Sequence, residues 1–249
     1  MKALSELQVS MKGKPTLILF GVPDTDAERE EMFRLRFRVY RDRRYINPER
    51  FSDGLDCDRY DMEEKCAYLV AVVKGHIVGS VRLIIDTVLP TEAECFRFQE
   101  PEAIRKVPRE HRGEIGRLVI VPYRDDQYLP RNLVMLFLMH VLLVVGHERD
   151  IRGGYAFIKK KLQVKLEKLK IPFHTITPFT QVYPKDGVLS RYFHQNDDPV
   201  IPIYFIRSEI EKRLAKIIGD KKMFQRINGK RFLLRKSLYN KFLQLMRVI

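Results

Sequence analysis

The 249-residue sequence contains no tryptophan and only three cysteines, Cys57, Cys66 and Cys95. So few thiols, odd in number and without metal-ligand spacing, exclude a disulfide-held scaffold and a cysteine zinc site, and they fit a reduced, cytoplasmic setting. Glycine and proline, 13 of each, are too sparse for a collagen-like or low-complexity chain. No apolar run reaches the about 20 residues that a bilayer requires. The longest, Leu133–Gly146, is interrupted by His140 and reads as a buried helix. Met1–Pro15 carries Lys2, Lys12 and Lys14 with no continuous apolar run behind them, so it does not read as a secretory signal. The six histidines (76, 111, 140, 147, 174 and 194) form no zinc pattern. There is no Gly-x-Ser-x-Gly, no Walker loop and no Cys–His pairing.

What is present is a chain rich enough in apolar residues, 45%, to build a core. Its net charge of +14 is unevenly spread: residues 207–249 hold 13 Lys/Arg against Glu209, Glu211 and Asp220. The chain therefore divides into a nearly balanced domain, 1–206, and a basic extension, 207–249, suited to an acidic partner or an anionic surface.

Short β-rich runs alternate with helical periodicity. Thr16–Phe20 reads as a strand. Thr25 with Glu28 forms a capping box for a helix to about Arg43. Residues 46–66 read as an acidic loop. Tyr68–Val73 and Ile77–Ile85 form a hairpin around Lys74-Gly75. Glu114–Val121 is a strand, 131–149 a helix, Gly154–Ile158 a strand, Lys161–Leu169 a helix, and Phe173–Ile176 and Val200–Ile206 strands. Ser208 with Glu211 reads as a second capping box. Gly219 and Gly229 divide the tail into two or three short helices, in which Phe224, Phe232, Tyr239 and Phe242 interleave with basic residues.

Four patterns occur in order: Arg34-Leu35-Arg36-Phe37-Arg38-Val39-Tyr40, Asp56-Cys57-Asp58-Arg59-Tyr60-Asp61, Gly79-Ser80-Val81-Arg82-Leu83 and Glu114-Ile115-Gly116-Arg117-Leu118. Together they resemble the N-acyl amino acid synthases and the acyl-homoserine-lactone (autoinducer) synthases, two branches of the GNAT-fold N-acyltransferases, over residues 16–206. The resemblance implies an α/β (α+β) fold with a mixed, splayed central sheet flanked by helices, followed here by the basic helical extension. It implies transfer of a long-chain acyl group from a thioester to the amine of an amino acid. The autoinducer branch usually has Glu at the position of Asp56, Ser at Gly116 and a Trp near Ile46. These departures point away from homoserine-lactone chemistry with S-adenosylmethionine, which stays as an alternative. A non-catalytic protein binding nucleic acid or lipid through its tail is another.

Acyl transfer needs an amine freed of its proton, a stabilised oxyanion and close positioning. Glu114 is the candidate base, acting through a water, or else a carboxylate paired to Arg82 or Arg117. Backbone N–H groups over Leu118, Val119, Ile120 and Val121, left unpaired by a splay between Glu114–Val121 and Gly154–Ile158, would bind the thioester. Strand alternation puts Glu114, Gly116 and Leu118 on one face and Arg117 on the other, unless a bulge intervenes. Arg36, Tyr40, Asp56, Asp58, Asp61, Arg82 and Arg117 would order the acidic loop or bind the amine substrate, or form an architectural ion network. Phe33, Phe37, Phe96, Phe98, Phe137 and Phe157 are available to line an acyl pocket.

The family's glycine-rich pyrophosphate loop falls here on Arg124-Asp125-Asp126-Gln127-Tyr128-Leu129, which has no glycine and two repelling aspartates. That favours acyl-phosphopantetheine on an acyl carrier protein as donor, with Arg124 and Arg131 on its single phosphate. No metal and no tightly bound cofactor is expected. The expected partners are acyl carrier protein, docked in part by Lys159-Lys160-Lys161, and an amino acid. An anionic membrane surface is a further candidate through 207–249, which would put the protein at the inner membrane surface. Nucleic acid is the less favoured partner.

Overall fold

The computed structural model describes residues 1–11, 14–121, 123, 124, 127, 128, 130–195 and 197–235. In chain order the elements are β1 (Lys2–Met11), β2 (Lys14–Val22), α1 (Asp26–Asp42), α2 (Arg59–Met62), β3 (Cys66–Val73), β4 (His76–Ile84), β5 (Phe96–Phe98) and α3 (Glu102–Arg105). They continue with β6 (Arg112–Ile120), β7 (Tyr123–Arg124), β8 (Gln127–Tyr128), α4 (Arg131–Glu148), β9 (Gly153–Lys159), α5 (Lys160–Lys168), β10 (Phe173–Thr175) and β11 (Phe179–Gln181). The last are α6 (Ser190–Phe193), β12 (Val200–Ile206), α7 (Arg207–Ile218), β13 (Phe224–Arg226) and β14 (Arg231–Leu234).

Ten strands form one mixed sheet in the order β10-β12-β9-β6-β4-β3-β2-β1-β14-β13. Only β6–β9 and β1–β14 are parallel. The β3–β4 hairpin turns at Lys74 and Gly75, both with positive φ, as two-residue primed turns require.

α1 begins as its sequence suggests, with the Thr25 hydroxyl accepting the Glu28 N–H at 3.2 Å. Its inward stripe is Met32, Leu35, Arg36 and Tyr40, so an arginine occupies a core position. α4 is apolar nearly all round because it is buried nearly all round, as a central core helix must be. It is long and apolar enough to cross a membrane, but two-thirds of it is inside the fold. Phe137 stacks on Phe20 at 5.3 Å and meets Phe224 and Phe232 edge-on. The main core lies between the sheet and α4, α5 and α7, and a second core lies under α1 on the opposite face.

Two segments depart from expectation. Met1–Pro15 supplies a long strand, β1, whose Leu7 and Val9 alternate inward. The tail, expected to be helices, is one helix and then a hairpin as far as residue 235. β14 extends the sheet by pairing with β1, Leu7 opposite Phe232. Of the four aromatics that interleave with basic residues there, Phe224 and Phe232 are buried on Phe137. Tyr239 and Phe242 lie outside the described residues. The capping box at Ser208 is not used either. β12 runs directly into α7, and the Arg207 N–H is held by the Arg152 carbonyl at 2.9 Å.

Candidate active site

β6 and β9 touch over only three residue pairs, ending at Glu114 opposite Tyr155. At the junction a Cβ on Gly154 would stand 1.7 Å from the Gly113 carbonyl oxygen, so the contact requires glycine there. Beyond it the strands part, β6 remaining with β4 as far as Ile120 and β9 with β12 as far as Lys159. A cavity of about 540 Å³ occupies the gap, lined by Ile115–Ile120 and Ala156–Lys159. On the α4 side its walls are Leu142, Leu143, Leu166, Phe173, Ile203 and Ile210, and on the α1 side Tyr40, Tyr45 and Tyr192.

The β4–β6 register jumps from Gly116 opposite Arg82 to Val119 opposite Ser80, so Arg117 and Leu118 share one place across from Val81. Arg117 is the bulged residue, with φ +53°. The bulge overturns simple alternation. Arg117 joins Glu114 and Gly116 on the α1 side, while Leu118 turns to the α4 side.

That turn completes a buried network of three arginines and three aspartates. The Arg36 Nε and Arg117 Nε both donate to Asp56 Oδ2, at 3.0 and 2.9 Å. Arg36 Nη2 reaches Asp61 Oδ2 at 3.1 Å, and Arg82 Nη1 reaches Asp58 Oδ1 and Asp61 Oδ2 at 2.8 and 2.9 Å. Arg117 Nη2 also reaches Asp58 at 3.2 Å. The acidic loop presents its carboxylates through α2, where Asp58 and Asp61 cap one another. Burial alone would raise the Asp56 pKa, but Arg117, Arg36 and Arg82 outweigh it and hold the carboxyl below the usual range. Six of the seven residues singled out from sequence for this role form the network, and the seventh, Tyr40, adjoins it. Tyr40 lies beneath the Arg117 guanidinium, 5.5 Å from ring centroid to Cζ. The charges neutralise one another, and Arg117 and Tyr40 are the members that border the cavity.

Glu114 is unpaired with any arginine. It is 2% exposed, and its Oε2 accepts the Thr91 N–H at 2.8 Å. Burial pushes its pKa up to about 8 against the pull of that hydrogen bond and of Arg82. It does not border the cavity. It lies two residues before Gly116 on the same face of β6, at the foot of the gap.

Of the four amides expected to face a thioester, Val121 does not, since its N–H donates to the Val78 carbonyl at 2.9 Å. Val119, two residues back and opposite Ser80, shares that edge. By the same alternation Ile120 turns its N–H away from β4, and Ile120 and the bulge residue Leu118 remain as the candidate donors.

Arg131 and Asn132 open α4 at the cavity's edge, near Lys161 and Lys165. Burial, then the neighbouring Arg131, lowers the Lys165 pKa. Arg124 falls in β7, which with β8 makes a two-residue ladder, and its side chain is outside the described residues. Lys159 is buried and engaged inside, so of the triple-lysine run only Lys160 and Lys161 remain at the surface. Of the six phenylalanines considered for the acyl pocket only Phe157 lines the cavity. Phe33 and Phe37 instead pack on Tyr68 and Phe51, Phe96 on Phe179 and Phe193, and Phe98 on Tyr155. Tyr45, Tyr192, Ile203 and Ile210, which do line it, were not singled out from sequence, and Lys159 was singled out only as part of a docking surface.

A Cβ at Gly116 meets nothing within 4 Å. Gly116→Leu is therefore expected to block the cavity, abolishing turnover while changing thermal stability by no more than about 1 kcal/mol, whereas Gly116→Ser retains activity. Melting curves beside product assays check both.

A family model described as N-acyl amino acid synthase FeeM matches residues 31–166. The structure of FeeM, an N-acyl amino acid synthase from uncultured soil microbes, aligns with 15% identity and a TM-score of 0.54 over 82% of this chain and 98% of that one. The acyl-homoserine-lactone synthase LasI gives 14% identity and a TM-score of 0.57 over 81% and 95%. The CoA-dependent acyl-homoserine lactone synthase BjaI, with SAM and isopentyl-CoA, gives 17% and 0.51 over 92% of each chain. At such identities these likenesses establish a shared GNAT-like fold. No curated protein matches in sequence.

Proposed function

This chain belongs to the N-acyl amino acid synthase FeeM family, and from that premise we propose that it moves a long-chain acyl group from the phosphopantetheine of an acyl carrier protein to the α-amine of an amino acid. It is an N-acyltransferase, with an acyl thioester as donor and an amine as acceptor. The observation that carries the finer reading is the opening between β6 and β9, a largely apolar slot bordered by the β6 backbone.

In this reading the pantetheine enters past α4, its phosphate near Arg131, and the acyl chain runs toward Leu142, Phe173 and Ile210. The Leu118 and Ile120 amides hydrogen-bond the thioester carbonyl as it becomes an oxyanion. The acceptor nitrogen attacks from the α1 side. The C–N bond forms, the C–S bond breaks and the thiolate leaves. The proton released from nitrogen passes to Glu114. Glu114 lies four and six residues along β6 from the two amides, roughly 10–17 Å once the bulge takes up one residue, so the transfer runs through water. The arginine–aspartate network fixes α1, the loop and the bulge, and so holds Arg117 and Tyr40 against the acceptor. The absence of a glycine phosphate loop and the lysines of α5 support a carrier protein over CoA.

Purified full-length protein, offered acyl carrier protein loaded with a long-chain acyl group and mixed amino acids, is expected to yield N-acyl amino acids by mass spectrometry, faster than with the matching acyl-CoA. Faster turnover of acyl-CoA would remove the carrier protein from the proposal. A lactone formed only when S-adenosylmethionine is added would return the autoinducer alternative. No product from either donor with any amine would end the reading.

A further inference from the structure

Lys159 closes β9 at the open end of the gap, lines the cavity and is 5% exposed. Along β9, Ala156 and Ile158 join the core beneath α4 while Phe157 packs with the α1 side, so Lys159 faces the α1 side as well. Its Nζ donates to the Tyr192 carbonyl at 2.5 Å and the Asp198 carbonyl at 2.7 Å. It also stands 4.7 Å from the Tyr192 ring centroid and 5.5 Å from that of Tyr45.

No carboxylate among the described residues pairs with this ammonium. The nearest, Asp198, turns its Oδ1 to the backbone N–H of Lys161 at 2.9 Å. An ammonium taken out of water without an anion is expensive. Two carbonyls and two aromatic faces offset part of that cost, and burial lowers the Lys159 pKa. An ammonium has three donors, so one remains. Arg43 lines the same end of the cavity and adds to the positive field, while Asp198 supplies a carboxylate there. Lys161, two residues on from Lys159, also stands near this end, with its backbone N–H on Asp198, while Arg131 and Lys165 belong to α4 and the second turn of α5.

We propose that Lys159 binds the carboxylate of the amino-acid acceptor, making it the residue that selects amino acids over other amines. The inference rests on the acyl-transfer reading above. A carboxylate seated on Nζ neutralises the buried cation and places the acceptor among Tyr40, Tyr45 and Tyr192, with its amine toward the Leu118–Ile120 level of β6. Lys159 does not take part in bond making and acts by positioning.

The test compares one accepted amino acid with its carboxamide, which keeps the amine and side chain but loses the charge. Wild-type protein is expected to favour the acid in kcat/KM by about 10- to 100-fold, the size of a charge-assisted hydrogen bond. In Lys159→Met the preference falls to near unity through a raised KM for the acid, with the KM for the amide unchanged, and Lys159→Arg restores part of it. A Lys159→Met enzyme with the wild-type preference would overturn the inference. So would a wild-type enzyme that takes the amide as well as the acid, which needs no variant to fold. If no donor gives product, calorimetric titration of wild-type protein with amino acid and amide still decides. Equal affinities overturn the inference, whereas selective binding of the acid supports it while the acyl-transfer reading fails separately.

Discussion

Asp56→Ala is expected to lower the stability of the protein by about 3–5 kcal/mol, the range for breaking a buried ion pair by removing one partner. Asp56 Oδ2 is the shared acceptor of Arg36 and Arg117, and both guanidiniums are as buried as the carboxylate. Removal leaves three buried arginines on two carboxylates, Arg36 on Asp61 and Arg117 on Asp58, each shared with Arg82, so one positive charge goes uncompensated with little water. Arg117 holds its place on a positive-φ bulge only because it is anchored, and its release would also loosen the cavity wall. Urea unfolding should show the loss, and Asp42→Ala, which removes an exposed partner of Arg41, should change stability by no more than about 0.5 kcal/mol. A loss below about 1 kcal/mol at Asp56 would mean that the network is dispensable to the fold.

Glu114→Gln should separate stability from activity. The carboxyl pKa rises from 4.5 to about 8 on folding because the group is buried. The unfolded chain therefore gives up its proton near pH 4.5, while the folded protein keeps it until about pH 8. Over that window the folded state binds more protons, so stability falls as pH rises and levels off above about 8. The full penalty is about 5 kcal/mol at the standard conversion, an order-of-magnitude figure. Glutamine keeps the acceptor for the Thr91 N–H and carries no charge. The variant should therefore be more stable than wild type at pH 8–9 and similar to it at pH 4–5. If Glu114 is the base, turnover falls by about 10²- to 10⁴-fold in the same protein. Thermal melts across pH and single-point rates test both halves. A variant gaining stability with unchanged turnover would leave Glu114 a structural acid and return the search for a base to the α1 side.

Much of the site was legible because its chemistry is carried by residue types that rarely occupy core positions. Arg36 and Tyr40 share a helical face, Asp56, Asp58 and Asp61 cluster in one acidic loop, and Arg82 and Glu114 sit inside β-rich runs. Charges in such places need partners. The splayed strands, too, were placed within a residue or two of where they lie. What escaped depended on distant contacts. Nothing local marks Arg117 as a bulge, because the carboxylate that anchors it, Asp56, lies 61 residues away on the acidic loop. Lys159 looked like one of three solvated lysines, since the carbonyls that bury it belong to residues 192 and 198. β14 has an apolar run that suits helix or strand equally, and it becomes a strand because β1 offers an open edge.

That edge ties synthesis to assembly. β1 is synthesised well before its outer neighbour, residues 231–234, so this parallel pair must wait for more than 200 intervening residues. Contacts of such sequence separation slow folding, and until they form an unpaired border is offered to any other chain in reach. A nascent protein halted before residue 231 would expose that border, making β14 the guard against self-association through β1.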